Sequence, residues 1–533
     1  MNNPLLSRRL ARFLIYWPIL SLPLILGSAR PFLWSFAASV FLAAFAFYIL
    51  ISTEPGGGIL SHATPRFPLP ASRSLLLVIL AYPFLQVVPL PLPLVSALSP
   101  QRAEWLHRSF EATGMSHKWA CISYVPVDTF MNGLWLLTLA LFALILHRSM
   151  RDGTIDPDRF LMVLFSVAGL EALYGIIQAM VPSMGLGFTE GATGTFASRN
   201  HYSAFLGMIW PLLLAWLQGP VDKKATHGPR VTGSYSDRER LRKAREKRLF
   251  FVFLTGIILL GIVLSRSRGG IICMVIGTTV LALLGVRRRK SIIPVLIGCW
   301  AIILAYGSVI GLEGIARRFT EIGHDAPGRF IFWQYTWRLI CDHWLTGTGA
   351  GTYPPVIFLY QIFDTDLLQV GHAHNDYLEI AAEWGLPFSL LLFSLVWGYW
   401  VVSAGRLVRI SNRSFAHSGD SERNGLSPGA REQRAMETSN LIRVGALAGS
   451  ATFLSHILVE FNWQIPANQL YFVTLLVLMG PWEKPAIGCN EAVTREQAKP
   501  TEHPRDSGRF GRRDSAHNSK RRNLFSAFSA SLR

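Results

Sequence analysis

Charge is scarce in this chain. Only 16% of its 533 residues are Asp, Glu, Lys or Arg, against roughly a quarter in ordinary soluble domains. Cysteine is scarcer still. The five are Cys121, Cys273, Cys299, Cys341 and Cys489, with no CxxC pair and no Cys/His spacing of the zinc type. Too few cysteines exclude a disulfide scaffold, and the high apolar content excludes a disordered chain. Glycine lacks the three-residue period of a collagen-like fibre. The glycine run Gly347-Thr348-Gly349-Ala350-Gly351 lacks the lysine of a phosphate loop, so a nucleotide site is rejected there in favour of a tight turn. What the chain does have is hydrophobicity, 50% of residues, together with a net charge of +18.

The apolar residues come in long blocks, which argues against a soluble nucleic-acid binder and for a membrane protein. A spanning helix needs about 20 mostly apolar residues. Twelve blocks qualify: 13–27, 31–51, 75–98, 130–147, 160–181, 200–217, 249–264, 269–285, 291–311, 386–404, 444–461 and 467–482. The reading is an all-α, polytopic membrane protein of about 12 transmembrane helices. With the N-terminus in the cytoplasm, 40 of the 51 lysines and arginines fall inside and 11 outside. That asymmetry sets the orientation, with both termini cytoplasmic. The first block is read as an uncleaved helix, although Gly27-Ser28-Ala29 faintly resembles a cleavage site.

The chain then divides into N-terminal helices over 1–159, central helices over 160–311 with a basic cytoplasmic loop at 218–248, a large outside loop at 312–385, C-terminal helices over 386–482 and a disordered basic tail at 483–533. The basic runs Arg238 to Arg248 and Arg287 to Lys290 are topology determinants that touch membrane lipids; no nucleic-acid partner is expected. Cys121 and Cys341 lie in the two long outside loops, which leaves a disulfide between them open.

Chemistry-bearing residues crowd the outside. In Gly371-His372-Ala373-His374-Asn375-Asp376-Tyr377-Leu378-Glu379 two histidines precede a helix on which Asn375, Glu379 and Glu383 share one face. A histidine can take a proton from a hydroxyl near neutral pH. The bland alternative is a helix cap at Asn375 or Asp376 with solvated histidines. An H-x-H-x-D metal set is weaker, since no second ligand cluster accompanies it. Ser265-Arg266-Ser267-Arg268-Gly269-Gly270 sets two arginines on the translocated side, suited to phosphate oxygens or, more plainly, to snorkelling toward headgroups. Arg329 is a third candidate. Arg199, Asn200 and His201 open the sixth span, and Glu460 with Asn462 lies at the outer end of the eleventh. Within the membrane, Glu171 heads a stripe with Tyr174 and Gln178 that suits an interhelical hydrogen bond.

Four segments in this order, GTFASRNHYSAF, SRSRGG, GRFIFWQYTWRLICDHWLTGTGAGTY and HAHNDYLEIAAEWGLP, resemble the O-antigen ligase family of bacterial membrane glycosyltransferases over roughly residues 160–400. The resemblance implies about twelve helices in the bacterial inner membrane, with the 312–385 loop periplasmic, partly helical and folded over the active site. It implies transfer of a glycan from an undecaprenyl diphosphate carrier to an acceptor hydroxyl, with no cofactor and no metal. Arg266, Arg268 and Arg329 would hold the diphosphate, and His374, with His372 second, would be the base. Arg199, Asn200, Asn375 and Glu379 would line the substrate. The acceptor is a lipid A–core sugar for a ligase, a growing O-antigen or exopolysaccharide for a polymerase, or a protein hydroxyl. From another class, a lipid-linked sugar transporter or flippase also suits twelve spans, but two similar halves are missing.

Overall fold

The computed structural model describes residues 4–52, 72–115, 117–181, 191–219, 235–285, 297–298, 301, 322–361, 371–424 and 430–482. The expected ninth span, the tail and the centre of the basic loop at 218–248 lie outside them.

Helix dominates because apolar runs without backbone partners can satisfy their N–H and C=O groups only within the segment. In order come α1 (Pro4–Leu24), a short turn at Leu26–Ser28, α2 (Pro31–Ser52), α3 (Ser72–Gln86), β1 (Leu90–Pro91), α4 (Leu92–Leu98), α5 (Pro100–Thr113), β2 (Trp119–Ala120), α6 (Pro126–Asp152) and α7 (Pro157–Met180). Then follow α8 (Arg199–Leu217), α9 (Tyr235–Leu264), α10 (Arg268–Leu284), α11 (Ile322–Asp342), α12 (Tyr353–Ile357), α13 (Asp376–Asn424), α14 (Ala430–His456) and α15 (Pro466–Met479). Among the described residues five helices are long and apolar enough to cross a membrane: Pro31–Ser52, Pro126–Asp152, Pro157–Met180, Arg245–Leu264 and Asp376–Ile410.

Local chemistry sets the helix starts. Proline, whose missing N–H costs nothing in a first turn, opens α5, α6, α7 and α15. Side chains of Asp156, Ser198 and Ser267 accept the first free amides of α7, α8 and α10.

The structure differs from the sequence reading in two breaks. The block at 75–98 is not one helix. It stops at Gln86, because Pro89 and Pro91 cannot continue an α-helical ladder. Leu90 and Pro91 instead pair antiparallel with Ala120 and Trp119. The block at 444–461 stops at His456. Residues 457–464 form a turn, and that turn carries Glu460, Phe461 and Asn462 into the polar region described below.

Helix α8 is the pillar of the fold. Every residue from His201 to Ala215 is buried, against α14 and α10 above all, and against α9, α7 and α15. Gly449 lets α14 close onto the Met208 carbonyl of α8, and Gly277 lets α10 close onto Thr452. Small residues at such crossings replace the hydrophobic driving force that lipid does not supply. The outward faces carry Phe32, Leu50, Leu77 and Phe253, as a lipid-facing surface requires. A smaller core joins α11, α12 and the first turns of α13 through Leu339, Ile340, Tyr353, Val356 and Ala382. The disulfide left open by the sequence does not form. Cys121 and Cys341 carry free thiols, and the Cys121 Sγ donates to the Val87 carbonyl at 3.1 Å.

Candidate functional site

Four distant stretches meet where α8, α10 and α13 begin and α14 ends. Asn375 caps α13, its Oδ1 accepting from the amides of Tyr377 at 3.0 Å and Leu378 at 3.2 Å. The cap is therefore real, but the histidines before it are not merely solvated. His372 Nδ1 lies 2.8 Å from Glu379 Oε1, and the Ala373 amide donates to the other oxygen of the same carboxylate at 2.9 Å. His374 Nδ1 lies 2.6 Å from Glu460 Oε1. Glu379 is fully buried and Glu460 is 2% exposed, whereas the two imidazoles keep 28% and 30% of their surface. Each ring is thus gripped at one nitrogen by a buried acid while its other side remains open.

The second oxygen of Glu460 accepts from the Asn200 side-chain amide. Asn200 Oδ1 accepts from the Ser267 hydroxyl at 2.8 Å, and Ser267 Oγ accepts from the Gly270 amide at 3.2 Å. Ser267 stands between Arg266 and Arg268, so the arginine loop is tied by side-chain hydrogen bonds to His374. Arg266 is exposed and Arg268 half-buried. Among the described residues three non-glycine residues have positive φ, and Arg266 (56°) and His374 (50°) are two of them. Backbone held in that region costs of order 1–3 kcal/mol and gathers at working sites.

Phe461 organises the rings. His372 stacks on it at 4.1 Å between centroids and 13° between planes, while His374 at 4.9 Å and His201 at 4.6 Å meet it edge-on. The sequence pattern carried no signal for Phe461 or for the Ser267 hydroxyl. Their roles arise from the turn at 457–464 that ends α14 early. His201 Nδ1 pairs with Asn462 Oδ1 at 3.0 Å. From the other side, Trp333 of α11 donates to the Ala373 carbonyl at 3.0 Å. Arg329 lies on the same helix, four residues earlier; its side chain lies outside the described residues. Arg199 is the half-buried first residue of α8.

Glu171 does not bond to a neighbouring helix as expected. It accepts from the amide and hydroxyl of Thr195 at 2.9 and 2.8 Å, and Gln178 donates to the Gly194 carbonyl at 2.8 Å. Both side chains pin the segment that leads into Asn200.

Electrostatics distinguish the histidines from the residues around them. Burial pulls the His372 proton affinity down, but the charge and hydrogen bond of Glu379 outweigh it, and the pKa ends above the usual histidine value. His343, in the layer beneath α12, moves the other way because burial dominates there. The H-x-H-x-D ligand set does not form. His372, His374 and Asp376 turn to Glu379, Glu460 and the Trp463 amide respectively. Among the described residues no group of three His, Cys, Asp or Glu is arranged to hold a metal ion.

Residues 251–393 match the family model described as O-antigen ligase. Over that stretch the chain is similar to the O-antigen ligase family. Neither a curated protein nor a solved structure matches it. The O-antigen ligase stretch includes the arginine loop, α11 and the histidine pair, but not Asn200 or Glu460. The matched stretch thus resembles a family of membrane glycosyltransferase-like enzymes, and five helices among the described residues are long and apolar enough to cross a membrane.

Proposed function

We propose that this protein transfers a glycan from an undecaprenyl diphosphate carrier to an acceptor hydroxyl, at the periplasmic face of the bacterial inner membrane, with the acceptor a lipid A–core sugar. The observation that carries the reading is the unbroken set of hydrogen bonds from the arginine loop through Ser267, Asn200 and Glu460 to His374. Fixed guanidinium groups of Arg266, Arg268 and Arg329 stabilise the charge that develops on the leaving diphosphate. In doing so they take the part of a divalent cation. An imidazole takes the acceptor proton. A single displacement inverts the anomeric centre.

The orientation with both termini in the cytoplasm rests on the lysine and arginine asymmetry, and the twelve-span count on the apolar blocks. Polar residues gather at one end of the helices rather than at mid-bilayer, which favours group transfer over transport.

The test is deletion of the gene followed by analysis of surface glycan. Loss of long chains from lipopolysaccharide, with lipid-linked polymer accumulating, is the expected result. Single-repeat glycans on the core would make the chain a polymerase. Unchanged surface glycan would remove the proposal.

A further inference from the structure

We propose that Glu460 is a positioning residue that fixes which nitrogen of His374 carries hydrogen, and that it does so at the end of a one-way hydrogen-bond chain beginning at the arginine loop. This inference rests on the functional reading above and names which of the two histidines serves it.

The direction of the chain follows from what each group can do. A carboxylate only accepts. Glu460 Oε2 therefore obliges Asn200 to present its NH2 group. The Asn200 oxygen is then turned toward Ser267, whose hydroxyl donates to it at 2.8 Å. Ser267 donates there because an amide oxygen only accepts, while its own oxygen accepts from the Gly270 amide at 3.2 Å. That amide belongs to the first turn of α10 and has one hydrogen and one direction. At the far end Glu460 Oε1 faces His374 Nδ1 at 2.6 Å, so Nδ1 carries hydrogen and donates. The bare nitrogen of His374 is Nε2. Burial of Glu460 at 2% exposure keeps water from competing for either oxygen.

His372 has an acid as well, but its acid stops locally. Glu379 is shared with the Ala373 amide three residues before the start of α13, and the ring lies flat on Phe461. His372 thus buckles the loop to its own helix. Through Glu460, Asn200 and Ser267, His374 is joined to the loop that bears Arg266 and Arg268. The left-handed backbone at His374 turns the ring toward Glu460 instead of along the helix axis. In the transfer step the acceptor oxygen bonds to the anomeric carbon, its proton moves to His374 Nε2, and the bond from that carbon to the phosphate oxygen breaks. The electron pair leaves with the diphosphate.

Replacing Glu460 by glutamine tests the direction itself. The new side chain matches the shape of the old. Asn200 donates, so the Gln oxygen settles on Asn200 and its NH2 group faces His374. Nδ1 must then accept, hydrogen moves to Nε2, and the base is blocked. The experiment uses the full-length protein in lipid nanodiscs with 15N-labelled histidine. Solid-state NMR reads the two ring nitrogens, and a His374→Asn sample identifies the His374 signals. Transfer is followed in the same nanodiscs with an undecaprenyl diphosphate-linked oligosaccharide as donor and rough lipopolysaccharide as acceptor.

The expected result is hydrogen on His374 Nδ1 in the unaltered protein and on Nε2 in Glu460→Gln. With it goes a fall in kcat of about 100-fold or more, as loss of a general base gives, while the donor KM stays within about threefold because phosphate contacts are intact. Glu460→Asp, which keeps a carboxylate, should recover part of kcat. An Nε2–H ring in the unaltered protein, or the same tautomer in Glu460→Gln, overturns the proposal. So does unchanged kcat, or a loss of kcat and KM together that Asp does not relieve. Should Glu460→Gln fail to fold, Asn200→Ala keeps Glu460 and removes its clamp, and must still lower kcat more than it raises KM. The tautomer is read without substrate. Absence of transfer by the unaltered protein would therefore count against the proposed reaction and leave the hydrogen-bond chain to stand or fall on the spectra.

Discussion

Two buried glutamates, Glu383 and Glu460, make an instructive pair. Both receive hydrogen bonds from distant segments. Around Glu383 the carboxylate is held by backbone. Its Oε1 accepts from the Tyr353 amide at 3.0 Å, and its carbonyl accepts from Gly349 N at 3.0 Å and from the Gln86 side chain at 2.9 Å. Gln86 also donates to the Thr346 carbonyl at 2.9 Å and accepts from the Ala350 amide at 3.1 Å. Gln86, Thr348 and Thr352 are fully buried there. Around Glu460 the partners include the side chains of Asn200 and His374 beside the Phe461 amide, and the imidazole keeps nearly a third of its surface open. The first arrangement holds the chain together. The second holds an imidazole in one orientation and leaves part of it exposed. Burial and polarity are common to both, so the exposed imidazole is what distinguishes the second, and it is the group the proposed reaction uses.

The sharpest way to break this contrast is at the histidine. His374→Ala should lower transfer by about 1,000-fold while the helical circular-dichroism signal stays intact, since the loss is of a general base and not of packing. Next comes the turn beneath Glu383. A side chain at Gly347 would run into the Glu383 carbonyl at a backbone φ of 67°. Gly347→Ala should therefore cost about 3 kcal/mol, combining backbone strain and overpacking, read as a lowered melting temperature. Gln86→Leu should cost about 2 kcal/mol, because it strands the Ala350 amide and removes one of the two donors from each of the Thr346 and Glu383 carbonyls. These two changes act on stability, and whatever protein folds should retain its kcat.

The smallest effect separates the two regions by pH. The folded-state pKa of His372 is raised, so its pairing with Glu379 stabilises fully below the unfolded value and fades as pH rises through the folded one. The melting temperature should accordingly fall slightly from about pH 6 to about pH 8 as His372 loses its proton. Glu379→Gln should flatten that slope. An unchanged slope would show that other groups set it.

Much of this was legible before any coordinates. The apolar blocks reported helix, and Asn375 reported a helix start. The histidine pair and the arginine loop were recognisable because polar residues are costly there and so stand out. What escaped was governed by turns. The block at 75–98 reads as one apolar run, yet two prolines split it. The block at 444–461 reads as helix to its end, and so Glu460 looked like a residue at a rim and not the partner of His374. No periodicity encodes the ending of α14 at His456, because packing of Phe461 among three imidazoles decides it. Glu171 was noticed for its cost, but its partner is a loop amide, which no helical spacing reveals.

Gly385 sits in α13 at φ 73° and ψ 162°, where the Leu386 amide reaches the Trp344 carbonyl at 2.7 Å. The helix is therefore two rods joined by a swivel, and the swivel is clamped by protein, not by lipid. A thicker or thinner bilayer that slides or tilts the apolar rod should leave the short rod, and His374 just ahead of it, where they are, so that the hydrogen bond between His374 and Glu460 is indifferent to the fatty-acid length of the host membrane.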